Sequence, residues 1–195
     1  MARYRAGLET QERILDATRS LLAETGLEGI TLKGICERAG VLPGSFYNLF
    51  ETKEEAVVTV VRQALEAVDP DPARRGQDTV EDLVEAYIRF IEGQPVLARI
   101  YIQLAVAGSA DDHRLRGRIL RHHANRLDRF SEGMGRSRPG LGKGEARRRA
   151  EYLLAALQGL TIWQMLDPAF DFAAHARDLL ANVVGPAAEA PPPRG

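Results

Sequence analysis

The sequence predicts an all-α protein of about nine helices, arranged as two helical domains followed by a short tail. Apolar residues recur every three or four positions along nearly the whole chain, and no segment shows the alternation that is typical of a strand. A polar stretch that contains Asp69-Pro70-Asp71-Pro72 interrupts the helical pattern. We therefore expect an N-terminal domain at residues 8–68, a C-terminal helical bundle at 78–185 and a disordered, Pro-rich tail at 186–195.

The segment at residues 31–50 predicts two short helices joined by a tight turn. The Thr31 hydroxyl can cap the first helix, and Gly40 can adopt the left-handed backbone conformation that a sharp turn requires. The second helix is too short to be stable alone in water and needs apolar anchors, for which Phe46 and Phe50 are suited. Two short helices joined in this way form a helix-turn-helix, which places its second helix in the major groove of DNA.

Longer helices complete the predicted pattern. The first helix is expected at about residues 10–25 and ends at Gly26, because glycine commonly follows the last residue of a helix. A Gly-rich loop is expected at residues 133–144. The remaining helices are predicted at residues 53–68, from 79 onward, and at 96–107, 111–132, 145–166 and 172–184.

The N-terminal residues resemble the TetR family of transcriptional regulators. That family has a T-[VL]-x-x-I-[AC]-x-x-A-G-V run, then G-[ST]-[LF]-Y-x-x-F, then K-[ED]. The matching residues are Gly26, Thr31, Leu32, Ile35, Cys36, Ala39, Gly40, Val41, Gly44, Ser45, Phe46, Tyr47, Phe50, Lys53 and Glu54. The resemblance covers about residues 8–60, and the rest of the chain agrees only in length and helical character. The chain departs from the family at Leu42 and Pro43, where Ser and Lys are frequent, so the family's base preference does not carry over.

The helix starts and the polar side chains of this segment predict a DNA-binding surface. Helix starts offer free N–H groups to phosphate. The resemblance implies that the Tyr47 hydroxyl binds a phosphate, although packing against the first helix is an alternative for this ring. Asn48 can bind an adenine edge, while Pro43 and Phe46 can contact thymine methyl groups, and Phe46 also suits the core. The predicted DNA-contacting residues are Thr31, Lys33, Pro43, Gly44, Ser45, Phe46, Tyr47, Asn48 and Lys53.

Charge is distributed unevenly along the chain. Residues 1–55 carry seven Lys/Arg and nine Asp/Glu, a net charge of −2, whereas DNA-binding proteins usually show a basic surface. We expect the compensating cations to be local, with Arg3 and Arg5 in a mobile arm and Lys33 and Lys53 beside the motif. The electrostatic affinity of one monomer should therefore be modest, and binding should depend on the avidity of a dimer.

A second segment is strongly basic. Residues 112–150 carry twelve Lys/Arg against four Asp/Glu, a net charge of +8. Arg114, Arg118 and Arg121 share one helical face, and residues 147–149 are three consecutive arginines. Two interpretations stay open. The arginines form either a solvated surface that pairs with acidic neighbours, or the entry to a site for an anionic effector such as a carboxylate or an acyl-CoA, a ligand class that the resemblance implies.

The C-terminal bundle carries polar and aromatic residues close to its apolar helical faces. Pockets between bundle helices are mostly apolar with a few polar groups. These residues are therefore candidates to line an effector pocket, although each also fits an ordinary core or rim position. The candidates are Tyr87, Phe90, Tyr101, Gln103, His122, Phe130, Tyr152 and Gln158.

Small residues on the eighth helix would let another helix approach closely. The resemblance implies that the last two helices form a two-fold, four-helix dimer interface. The predicted interface residues are Ala155, Gly159, Ile162, Leu166, Leu179, Leu180 and Val183.

Composition and motif searches argue against several other classes of protein. One cysteine, Cys36, precludes an internal disulfide framework and fits a reducing cytoplasm. We see no signal peptide, and the longest apolar run, residues 96–108, is too short to span a membrane. The histidines lack partners at metal-ligand spacing, and no phosphate loop or catalytic triad pattern is present. We expect a cytoplasmic protein that is not an enzyme and has no metal, no cofactor and no membrane partner.

Together these observations predict a homodimeric repressor that a small molecule releases from a palindromic DNA operator. Its two motifs would read half-sites about 34–36 Å apart. The effector would favour a conformation in which that spacing is wrong, with the fourth helix coupling the two domains. Two alternatives stay open: a transcriptional activator of the same family, and a ligand-binding protein with weakened DNA recognition.

Overall fold

The computed structural model describes residues 2–67, 76–107 and 113–185, and the regular secondary structure there is entirely α-helical. The all-α prediction is confirmed. The described helices are α1 (Ala2–Gly29), α2 (Leu32–Ala39), α3 (Pro43–Tyr47), α4 (Lys53–Ala67), α5 (Val80–Gly93), α6 (Pro95–Ala107), α7 (His113–Ser137), α8 (Lys143–Leu166) and α9 (Phe172–Val184). The predicted tail at 186–195 lies outside the described residues.

Helix α1 contains a break at the predicted stop. Gly26 has φ 68° and ψ −173°, a conformation that L side chains rarely adopt, and the helix resumes after it. The backbone at Arg3 and Arg5 belongs to α1, so the mobile arm that we expected there is instead helical.

One compact unit comprises Met1–Ala67 and Glu92–Leu120. Within it, α1 packs against α2, α4 and α6, and α4 also packs against α6. The buried side chains that fill this unit include Ile14, Leu22, Ile30, Ile35, Phe46, Val57, Val60 and Ile100. Because α6 packs here, the unit does not follow the predicted boundary between residues 68 and 78, most of which lies outside the described residues.

The second compact unit comprises Val68–Ile91 and Arg121–Gly195. Its helix α5 is strongly amphipathic and buries one face, and α8 pairs with α9. Tyr87 lies at the centre of this unit, with its hydroxyl 2.9 Å from the Thr161 hydroxyl and its ring against Phe90 and Phe172. Because Thr161 also donates to the Leu157 carbonyl, the buried hydroxyl pair is satisfied.

Helix α7 continues through the first part of the predicted Gly-rich loop, so that prediction is wrong for residues 133–137. Gly133 is buried against the start of α5: a Cβ there would lie 3.1 Å from the Val80 nitrogen and 3.2 Å from the Thr79 carbonyl carbon. The glycine permits a close approach between two helices and does not end one. Val80 N–H donates to the Ser137 hydroxyl at 3.1 Å, which also ties the two helices together.

The basic residues of this unit are largely engaged inside it. Arg149 donates to the Val183 and Val184 carbonyls at 3.2 and 2.9 Å, where free carbonyls end α9. Arg147 pairs with Asp128 at 2.7 Å, and Arg148 pairs with Glu145. The three consecutive arginines are therefore paired with neighbours inside the unit. The side chains of Arg114 and Arg118 lie outside the described residues.

Membrane-spanning helices and metal-binding clusters are both absent from the described parts of the chain. None of the helices there combines the length and the apolar character that crossing a bilayer requires. Nor do the described His, Cys, Asp and Glu side chains form a group of three or more that could hold a metal ion.

Candidate nucleic-acid interface

The turn between α2 and α3 is held by main-chain and capping hydrogen bonds. Thr31 caps α2, because its hydroxyl accepts a hydrogen bond from Gly34 N–H at 3.0 Å. Gly40 has φ 62° and ψ 41°, and its N–H points back to the α2 carbonyls. Val41 N–H donates to the Cys36 carbonyl at 3.0 Å and completes the turn. The predicted helix-turn-helix is therefore present at the predicted residues.

Helix α3 is anchored by one aromatic side chain. Phe46 is fully buried, with its ring centre 5.5 Å from that of Phe50 and 5.9 Å from that of Tyr47. A five-residue helix cannot be stable alone, so this anchor fixes its position in the unit. The same burial corrects one prediction: the Phe46 side chain is unavailable to DNA bases.

The opposite side of α3 faces solvent. The Tyr47 side chain is 57% exposed, Asn48 and Pro43 are exposed, and Ser45 is half-buried. A Cβ added at Gly44 would meet no atom within 4 Å, so the main chain there is open to close approach from outside. The predicted polar residues thus lie together on one accessible surface.

The cations beside this surface have partners within the protein. Arg38 pairs with both carboxylate oxygens of Glu24, and its hydrogen bonds lower the pKa of the Glu24 carboxyl. The Lys33 ammonium lies 3.8 Å from Glu37, and both side chains are exposed. These pairs leave the motif with little net positive charge to offer to phosphate.

The Lys53 ammonium has partners inside the protein that the sequence does not indicate. Its ammonium donates to the Ile30 carbonyl at 2.8 Å and lies 3.6 Å from Glu54. The side chain therefore connects the start of α4 to the segment between α1 and α2, and it is half-buried. These contacts use part of the donor capacity of the ammonium, and its predicted contact with DNA stays a prediction.

Cys36 lies in the core of the motif. Burial raises the pKa of its thiol, and the nearby Glu37 carboxylate adds to the increase. The thiol is therefore protonated at neutral pH, as expected of a structural cysteine rather than a reactive one.

Residues 14–58 match the model of the bacterial regulatory proteins of the tetR family. Residues 14–58 are thus a tetR-family segment. Among its relatives, the HTH-type transcriptional repressor KstR of Rhodococcus jostii is 28% identical over 93 residues, which cover 46% of this chain and 44% of KstR. KstR2 of the same organism is 40% identical over 53 residues, 27% of this chain and 26% of KstR2. The matches thus span less than half the length of these curated relatives.

Solved structures extend the likeness beyond residues 14–58 to the fold of nearly the whole chain. SmeT, the repressor of the Stenotrophomonas maltophilia multidrug efflux pump SmeDEF, has been solved in a complex with triclosan. That structure is 26% identical, with a TM-score of 0.62 over 95% of this chain and 99% of SmeT. FadR of Bacillus subtilis in complex with stearoyl-CoA is 19% identical, with a TM-score of 0.59 over 89% of this chain and 97% of FadR.

The predicted pocket residues divide between the two compact units. Tyr87, Phe90 and Phe130 are buried in the second unit, and the Arg126 guanidinium lies 4.4 Å from the Tyr87 ring centre and 5.5 Å from that of Phe130. His122 and Gln158 are half-buried there. Tyr152 is exposed, so its prediction as a pocket residue is wrong. Tyr101 and Gln103 belong to the first unit, Tyr101 buried and Gln103 exposed.

Arg126 and Thr161 also belong to this aromatic cluster, and the sequence alone did not indicate either of them. Arg126 is one of many arginines in a basic helix, and Thr161 lies in an apolar one. Only their side-chain partners distinguish them, and no local pattern indicates those partners.

The predicted interface residues of α8 share one exposed face. Ala155, Gly159, Ile162 and Leu166 are all exposed, and their spacing of three or four residues places them on one side of the helix. Tyr152 and Trp163 extend this apolar face, which we call the α8 face. On α9, Leu179 and Val183 are half-buried, but Leu180 is buried in its own unit, so its assignment to an interface is wrong.

Proposed function

We propose that this chain is a ligand-responsive, DNA-binding transcriptional regulator that acts as a homodimeric repressor. One observation carries the proposal: a helix-turn-helix in which the buried Phe46 anchors α3, while Tyr47 and Asn48 are exposed on its other side. The match to the tetR family over residues 14–58 supports DNA as the partner. Repression is supported by the relatives KstR and KstR2, which are named repressors.

The contacts with DNA divide into those that position the protein and those that read bases. The Tyr47 hydroxyl and the Lys33 ammonium are exposed and suited to phosphate oxygens. The Thr31 hydroxyl accepts from Gly34 N–H and retains its own proton to donate to a phosphate. Asn48 and Ser45 offer hydrogen bonds to base edges, and an Asn side chain pairs with adenine through two of them.

A second copy of the chain is the partner that we propose for the α8 face. Large apolar side chains such as Leu166 and Trp163 stabilise a structure only when they are removed from water. A monomer rarely exposes several of them together. Ala155 and Gly159 would let the backbone of a two-fold related helix approach closely. Dimerisation would present two motifs to a palindromic operator with half-sites about 34–36 Å apart.

The effector proposed for this chain is a small, anionic molecule with an apolar body. The half-buried Arg126 guanidinium, held over the Tyr87 and Phe130 rings, places a positive charge beside an aromatic surface in the second unit. The structures of FadR with stearoyl-CoA and of SmeT with triclosan are examples of tetR-like folds with a bound small molecule. Release from DNA would require a coupling free energy of about 1–3 kcal/mol between the two sites.

Fluorescence anisotropy with DNA from upstream of the chain's own gene tests the proposal. Tyr47→Phe removes one hydroxyl from each subunit and should weaken binding roughly tenfold for each half-site, the effect of one hydrogen bond to a charged group. Lys33→Ala should weaken binding to all sequences and reduce the slope of log affinity against log salt by about 2, because the dimer loses one phosphate contact in each half-site. Lys143→Ala, which removes an exposed cation on α8, is the control and should leave both quantities unchanged. Binding no tighter than to random DNA, with that duplex and with duplexes selected from a random pool, would contradict the proposal.

The same titrations distinguish the two alternatives. A ligand-binding protein with weakened DNA recognition is favoured by the carboxylate partners of Lys33 and Arg38, and it would show weak binding that hardly responds to salt. Activator and repressor bind DNA alike, and they differ in the response of a reporter promoter that carries the operator. We expect transcription of the reporter to fall when the protein is present and to recover on addition of its effector.

A further inference from the structure

Leu42 is the most exposed large apolar side chain among the described residues, at 76%. It lies in the turn before α3, where its main chain is held because its carbonyl accepts hydrogen bonds from Ser45 N–H at 2.9 Å and from Phe46 N–H at 3.2 Å. An exposed leucine gains nothing for folding, since its contribution to stability comes from leaving water. The Leu42 side chain lies in the motif next to the exposed Pro43, where contact with a bound partner would remove it from water.

The chemistry around Leu42 restricts what that partner can be. Residues 42–44 are Leu, Pro and Gly, and none has a side chain that can donate or accept a hydrogen bond. Pro43 also lacks an N–H. The motif cations Lys33 and Arg38 have carboxylate partners of their own. The side chains of residues 42–44 thus cannot read bases by hydrogen bonds or attract phosphate by charge.

The major groove presents one apolar group to such a surface, the C5-methyl group of thymine. Gly44 leaves the adjoining main chain open, because a Cβ there would meet no protein atom within 4 Å. A base pair can therefore come close to the Leu42 side chain without a steric barrier from its neighbour.

We propose that Leu42 determines operator specificity by packing on the C5-methyl group of a thymine in each half-site. This inference rests on the proposed DNA-binding function and assigns it a base preference. Pro43 extends the apolar contact, and Asn48 and Ser45 supply the polar reading of other bases. The operator is accordingly expected to hold a T·A pair at one fixed position in each half, where a C·G pair binds less well.

Replacement of deoxythymidine by deoxyuridine isolates this contact, because it removes the methyl group and keeps base pairing. The probe is a duplex selected from a random pool by the purified full-length protein, with each thymine replaced in turn. We expect one position per half-site at which deoxyuridine weakens wild-type binding about fourfold, as the loss of one buried methyl would. At that position, Leu42→Ala should bind the thymine and uracil duplexes equally.

Leu120→Ala is the matched control, since it truncates an exposed leucine on α7 outside the motif. It should retain the wild-type sensitivity to deoxyuridine, and thermal unfolding should show that both variants fold. Equal affinity for both duplexes at every position would overturn the proposal, as would a thymine preference that persists in Leu42→Ala. In either case the selected consensus would still support the DNA-binding function, whereas a pool without any consensus would contradict both.

Discussion

Replacing Leu166 by arginine is expected to convert the protein into monomers and to weaken its binding to a palindromic operator about a hundredfold or more. The side chain is 69% exposed, so the fold should tolerate the change. In a two-fold dimer, however, each copy would bring its arginine into the same apolar interface, where a charge without a partner is costly. Losing the second motif removes an avidity of about 10²–10⁴.

Sedimentation velocity and anisotropy together test this expectation. Leu120→Arg introduces the same charge at another exposed leucine and is the control; it should leave both the mass and the affinity unchanged. If Leu166→Arg sediments as the wild type does, the α8 face is not the dimer interface. If it becomes monomeric but binds the operator as tightly as before, avidity does not contribute to DNA binding.

Replacing Gly133 by alanine is expected to lower the free energy of unfolding by about 2 kcal/mol. In most helical positions this substitution stabilises a protein by roughly 0.5–1 kcal/mol, because alanine is the better helix former. At Gly133 the new methyl group would meet main-chain atoms of Thr79 and Val80 at 3.1–3.2 Å, and main chain cannot rotate away. The start of α5 would have to move, which would also strain the hydrogen bond from Val80 to Ser137.

Gly135→Ala on the same helix is the control, because a Cβ at that position meets no atom within 4 Å. Urea denaturation followed by circular dichroism should show Gly135→Ala at or above the wild-type stability and Gly133→Ala below it. Equal midpoints for the two variants would mean that α5 and α7 adjust their separation at little cost.

Elements with local signals could be predicted from the sequence. The turn at Gly40, the break at Gly26 and the limits of α9 at residues 172–184 all depend on residues within one or two turns of each other. The helix-turn-helix was predictable for the same reason, because its cap, its turn and its anchor at Phe46 lie within one short segment.

Features that depend on residues far apart in sequence could not be predicted. Gly133 resembles a loop glycine unless the approach of α5 is known, and Leu180 cannot be distinguished from its exposed neighbours without knowing which side of α9 is covered. The partner of Lys53 is a carbonyl group 23 residues away. Nothing in the spacing of charges indicates that this ammonium is used inside the protein rather than on its surface.

The α8 face also provides the chain with an internal optical reporter. Trp163 is the one tryptophan of the 195-residue sequence, and its indole is 59% exposed on that face. An indole emits at longer wavelengths in water than in an apolar environment, so all tryptophan emission from this protein reports on the same patch of surface. If the proposed dimer forms through the α8 face, dilution of the unlabelled protein should shift its emission to longer wavelengths as the subunits separate, so that self-association can be followed without a label.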